Sequence, residues 1–72
     1  MEKNYFTING TQFQIDTKKE NFLDELIKNY LKNKNIKVAV AVNYKLIQKS
    51  KWKSKKILKG DEIEIVQPFF GG

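Results

Sequence analysis

The chain has 72 residues, a formal charge of +6, 40% apolar residues, and neither cysteine nor histidine. This is enough for one domain around one core, burying roughly 60% of its unfolded surface. It excludes disulfides, thiolate or imidazole metal sites, cysteine nucleophiles and histidine bases. Any chemistry must come from carboxylates, lysines, hydroxyls or the chain end, and no metal site is expected.

All 14 basic residues are lysines. Recognition of phosphates and bases usually draws on the bidentate fork of arginine, so the charge points only weakly to nucleic acid. An A+T-rich source, such as a plastid or a reduced bacterial genome, accounts for it equally well. The missing cysteines fit a reducing compartment. Met1 to Asn4 leads into a short alternating stretch and not an apolar leader, and nothing approaches membrane-spanning length. A soluble, intracellular protein without membrane contact is expected.

Residues 4–15 read as a β-hairpin. Asn9-Gly10 suits a type I′ turn, in which both central residues take positive φ. Counting outward pairs Ile8 with Thr11, Phe6 with Phe13 and Asn4 with Ile15, which puts Phe6, Ile8, Phe13 and Ile15 on one face. A helix follows, with Phe22, Leu23, Leu26, Ile27, Tyr30 and Leu31 forming one apolar stripe. Thr17 with Glu20 and Asn21 with Asp24 both have capping-box spacing, and Asn21 is preferred because the apolar repeat begins immediately after it. Lys32 and Lys34 near the far end complement the helix dipole. The stripe is expected to cover the sheet.

Residues 36–42 form the third predicted strand, with Val38, Val40 and Val42 toward the helix and Ala39 and Ala41 on the outer face. Asn43-Tyr44 turns the chain into a short strand through Leu46 and Ile47. Seven lysines then crowd residues 45–59 around Trp52. Stacking on single-stranded nucleic acid would ask for several aromatics along a groove. With one tryptophan, the better reading is a solvated lysine-rich segment whose indole covers an end of the core. Gly60-Asp61 marks a turn, and residues 62–65 alternate as the last strand, isoleucines in and Glu62 and Glu64 out. Without histidine or a metal ligand beside them, the two carboxylates read as a solvated face. Pro68 lacks an amide donor and should stop strand pairing.

The chain closes on Phe69-Phe70-Gly71-Gly72. A diglycine end packs poorly, but it is thin enough to enter a narrow cleft and deliver the Gly72 carboxylate. A frayed terminus and a functional tail both remain open from these letters alone.

The ordered set Val38-Ala39-Val40-Ala41-Val42-Asn43, Lys49-Ser50-Lys51-Trp52, Leu58-Lys59-Gly60-Asp61, Glu62-Ile63-Glu64-Ile65-Val66 and Gly71-Gly72 resembles the sulfur carrier proteins of thiamine biosynthesis, within the ubiquitin-like β-grasp superfamily. The match covers the C-terminal half; the N-terminal half agrees in pattern and length. Where the family commonly has Pro-Arg before its tryptophan segment, this chain has Gln48-Lys49, which loses the arginine fork. Where the family often has glycine after the turn asparagine, Tyr44 stands.

The resemblance implies an α+β, ubiquitin-like β-grasp fold: a ββαββ mixed sheet on one helix, with residues 1–68 as the domain and residues 69–72 as a flexible diglycine tail. It also implies a carrier and co-substrate, not an enzyme. A partner adenylating enzyme, related to those that activate ubiquitin, would use ATP to adenylate the Gly72 carboxylate. A cysteine desulfurase would supply sulfur indirectly, and thiazole synthase would take it from the resulting thiocarboxylate. Gly72 is then the attachment point and Gly71 gives clearance. Ile65, Val66, Phe69 and Phe70 are the expected contact for the adenylating enzyme, because ordering a free tail needs an apolar anchor nearby. No cofactor is expected to be bound. The setting would be the cytoplasm, or the plastid stroma for a plastid-encoded chain.

The nearest rival is a molybdopterin-synthase small subunit, with the same fold and thiocarboxylate. That relative is generally longer and lacks the tryptophan-bearing segment, so Trp52 and the short length favour thiamine. A modifier joined through Gly72 to target lysines and a small basic nucleic-acid-binding module are the other readings.

Overall fold

A computed structural model of the chain describes residues 4–32 and 37–67. Strands β1 (Tyr5–Ile8) and β2 (Thr11–Gln14) form the hairpin, and β3 (Asn21–Phe22) leads directly into helix α1 (Leu23–Leu31). Strands β4 (Ala39–Val42), β5 (Lys45–Leu46), β6 (Lys56–Ile57) and β7 (Glu62–Val66) follow, with a short 3₁₀ turn at Lys49–Lys51. The main sheet has the order β2-β1-β7-β4-β5, while β3 and β6 make a separate two-stranded sheet. The last strand is therefore central, parallel to β1 and antiparallel to β4.

The hairpin register is the expected one, with Phe6 opposite Phe13 and Ile8 opposite Thr11. Asn9 and Gly10 take φ of 50° and 84°, as a type I′ turn requires. Phe6 and Phe13 stack at 5.7 Å between ring centroids, and Tyr30 of the helix meets Phe13 edge-on at 5.9 Å.

Alternation then places the core. Phe6 and Ile8 from β1, Val40 and Val42 from β4, and Ile63 and Ile65 from β7 are buried against Leu23 and Ile27 of α1. Burying each such aliphatic side chain is worth about 1.5–3 kcal/mol, and this outweighs the intrinsic propensity of a nine-residue helix. The valines face the helix and the alanines are half-buried on the outer face, as expected. Ile36 and Lys34 lie outside the described residues.

The helix start differs from expectation. Phe22, not Asn21, is the N-cap residue, and no side chain caps the helix. Asn21 is buried in β3, where its Nδ2 donates to the carbonyls of Asp16 (2.8 Å) and Lys19 (3.2 Å). The first helical amides find partners in the lysine-rich connection: Leu23 N–H donates to the Lys55 carbonyl (2.8 Å) and Asp24 N–H to the Trp52 carbonyl (3.1 Å). Backbone carbonyls thus satisfy two of the orphan donors of the first turn, the role a capping side chain would otherwise share. Glu20 closes no capping box either; its carboxylate pairs with Lys56 at 3.0 Å. At the other end Lys32 is left-handed, with φ 60°, and its N–H donates to the Lys28 carbonyl.

Candidate functional site

The feature to be positioned is the end of β7, because the chain beyond it carries the diglycine. β7 runs in the middle of the sheet and ends at Val66. Pro68, Phe69, Phe70, Gly71 and Gly72 lie outside the described residues, so the expectations placed on them, including the boundary between domain and tail, rest on sequence.

Of the contact residues expected within the described chain, Ile65 and Val66 separate. Ile65 points into the core at 7% exposure, whereas Val66 is 58% exposed on the opposite face. Burial removes Ile65 from any partner surface: strand alternation cannot present both neighbours on one side. The exposed Val66 has apolar company. It lies opposite half-buried Ala39, and Leu46, at 71% exposure, lies opposite half-buried Ala41. Together they form an apolar strip on the open face of the sheet, beside the root of the C-terminal segment.

β7 is clasped at both ends by asparagine side chains from turns. At its start, Glu62 N–H donates to Asn43 Oδ1 (2.9 Å) and Asn43 Nδ2 donates to Asp61 Oδ1 (3.0 Å). Near its end, Ile65 N–H donates to Asn9 Oδ1 (2.9 Å) and Asn9 Nδ2 donates to the Ile65 carbonyl (3.1 Å). Both asparagines also occupy the first positive-φ position of a two-residue turn. Their turn role was legible from sequence. Their grip on β7 was not, although an asparagine where glycine would serve the backbone is a signal that the side chain has a second use.

The outer face of β7 is acidic. Glu62 and Glu64 are exposed, and the Tyr44 hydroxyl donates to Glu62 Oε1 at 3.2 Å. That hydrogen bond, followed by the negative charge of Glu62, slight desolvation and the charge of Glu64, holds the Tyr44 phenol above its ordinary pKa. The two carboxylates form a solvated face with a tyrosine tether, as their alternation suggested.

Trp52 is 6% exposed, and its Nε1–H donates to the Ile47 carbonyl at 2.9 Å. It closes the core and offers no stacking surface to a base. An open groove of about 340 Å³ beside the small sheet is lined by Asp16, Thr17, Glu20, Asn21, Lys56 and Ile57 among others, and within it Glu20 is paired with Lys56. Among the described residues no cluster of three or more carboxylates could hold a metal ion, and no helix is long and apolar enough to cross a membrane.

A mixed five-stranded sheet on one helix, with its central strand leading into the C-terminal segment, defines a ubiquitin-like β-grasp domain. The crystal structure of the thiamine biosynthesis protein ThiS from Geobacter metallireducens shares this fold, with a TM-score of 0.77 and 20% identity over 94% of this chain and 99% of that one. No curated protein matches the chain. The ThiS family model, however, matches residues 4–72, and the chain belongs to the ThiS family. It is a ThiS-type sulfur carrier, a small carrier protein and not a catalyst.

Proposed function

We propose that this protein carries the sulfur of thiamine's thiazole ring as a thiocarboxylate on Gly72. The observation that carries the reading is the family match itself, which runs through the diglycine to residue 72. The composition is compatible with it: without cysteine, the chain has no side-chain thiol that could carry the sulfur as a persulfide.

A Gly72 carboxylate oxygen attacks the α-phosphorus of ATP, and pyrophosphate leaves. The activated carbonyl of the acyl-adenylate is then attacked by a persulfide sulfur derived from cysteine, and AMP leaves. A thiol cleaves the remaining S–S bond to free the thiocarboxylate, which thiazole synthase consumes. The catalytic groups belong to the adenylating enzyme. This chain contributes a nucleophile that is anionic at neutral pH, since a free α-carboxyl titrates near about 3.5. Gly71 keeps the approach to it narrow. The strip of exposed Val66 and Leu46 with half-buried Ala39 and Ala41 supplies apolar area for docking, and burial of such area offsets the cost of ordering the tail, about 1–2 kcal/mol per residue. Phe69 and Phe70 extend that anchor in sequence.

Intact-mass measurement after incubation with ATP, the adenylating enzyme and a persulfide donor tests the proposal. The expected product is heavier by the exchange of one oxygen for sulfur, with the change located at Gly72. A known carrier converting in parallel while this chain stays unmodified would sink the proposal.

A further inference from the structure

Strand β1 stops one rung short of where β7 needs it. Asn9 N–H makes the last main-chain bond between them, to the Ile63 carbonyl at 2.9 Å. The chain then turns away at Asn9, φ 50°, toward β2. In a parallel pair the next rung would take the Ile65 N–H and carbonyl, and β1 has no residue to offer them. The Asn9 side-chain amide fills that place, accepting from the Ile65 N–H at 2.9 Å and donating to the Ile65 carbonyl at 3.1 Å. A carboxamide carries one acceptor and one donor spaced like a peptide unit, so it can act as a substitute strand residue. On the opposite edge, β4 accompanies β7 only as far as the pair Ala39–Val66.

We propose that Asn9 is a positioning residue for sulfur transfer: its amide supplies the last anchor of β7 on the β1 side, while the Ala39–Val66 pair holds the other edge, and so helps to set the root from which the C-terminal segment starts. The role rests on the carrier reading above. An adenylating enzyme must bring Gly72 to a fixed phosphorus. Every residue released from the sheet upstream has to be ordered again on binding, which weakens productive association about tenfold per residue. Asn43 provides the internal control. At the start of the same strand, farther from the diglycine, it accepts from the Glu62 N–H and donates to the Asp61 carboxylate.

Asn9→Gly keeps the left-handed turn and deletes the amide, and Asn43→Gly does the same at the other end. Both variants should melt lower by a similar amount, about 5 °C. In amide exchange on the isolated protein, the Ile65 N–H of Asn9→Gly should exchange at least about tenfold faster relative to Ile63 than in wild type, and Asn43→Gly should leave that ratio unchanged. In activation by the adenylating enzyme with ATP, Asn9→Gly should raise KM for the carrier about tenfold with kcat little changed, and Asn43→Gly should not. Asn9→Asp, which retains the acceptor for Ile65 N–H, should recover part of the loss. The proposal is overturned if Ile65 exchange in Asn9→Gly simply tracks Ile63, or if both glycine variants shift KM alike. Failure of the wild type to be activated would overturn the carrier reading, and the exchange ratio alone would then decide whether Asn9 fixes the strand end.

Discussion

Two connections in this small domain make opposite use of chain length. Asn9-Gly10 joins β1 to β2 in the shortest loop a hairpin allows, and its geometry is local: two positive-φ residues set the register of both strands. Residues 47–61 join β5 to β7 at length, are rich in lysine, and from composition read as a solvated loop. Yet this stretch contributes two buried core residues, Trp52 and Ile57, supplies the carbonyls that cap α1, and pairs with β3. The short turn decides which residues face each other. The long connection closes the core. A long segment earns its order from remote partners, and lysine content says only that its other side is wet.

The contrast predicts where the domain is weakest. Trp52→Ala removes a 6%-exposed indole and leaves the Ile47 carbonyl without its donor, so it should cost about 3–5 kcal/mol in denaturant unfolding. That is a large fraction of the roughly 5–15 kcal/mol available to a small domain. A loss below about 1 kcal/mol would mean the connection is a cover and not a wall.

What was legible follows the same division. Period-two alternation beside an Asn-Gly turn dictates the register of Phe6 and Phe13, and it also picks the inward residues of β4 and β7. The two-residue strands β3 and β6 are too short to show any period, so their pairing was invisible. A capping asparagine and a buried one look alike in sequence, and the first helical amides are met instead by the distant carbonyls of Trp52 and Lys55. Ile65 shows a different failure. Alternation already pointed it inward, and its nearness to the tail suggested a partner contact that its own strand geometry forbids. Asn9 clasps a residue 56 positions away, a partnership no local pattern encodes.

The two turns themselves provide a sharper test, because they hold different residues at the same place. Gly10 sits at φ 84° with nothing within 4 Å of where a Cβ would stand, so Gly10→Ala should cost only the left-handed backbone strain, about 1–2 kcal/mol. At the matching position of the second turn the chain already accepts that strain, with Tyr44 at φ 69°. Tyr44 is 78% exposed and has little packing to lose. Tyr44→Gly should therefore stabilise the domain, by about 0.5–1 kcal/mol once the extra freedom of glycine in the unfolded chain is counted. Thermal melts of both variants check the pair. Two changes of the same sign would show that the turns are not equivalent.

What Tyr44 offers in return for its strain is the bond to Glu62, and titration isolates it. The Glu62 hydrogen bond is the largest cause of the raised phenol pKa, with the Glu62 charge next, so the folded protein holds that proton more tightly than the unfolded chain does. The sign follows: the contribution is fully present below the unfolded phenol value of about 10, and it is lost as pH rises through the higher folded value. Since the group is open to solvent, the effect should be small and should shrink further as salt rises. Titration of Tyr44, followed through its own ring NMR signals, should give a midpoint above that of the unfolded chain; Glu62→Gln, which keeps an acceptor but removes the charge, should lower it in part, and Glu62→Ala, which removes both, should bring it back most of the way. Desolvation and the charge of Glu64, the lesser causes, then set what remains. A midpoint indifferent to Glu62→Ala would mean that the exposed carboxylate does not hold the hydroxyl in solution, leaving the second turn with strain and no tether.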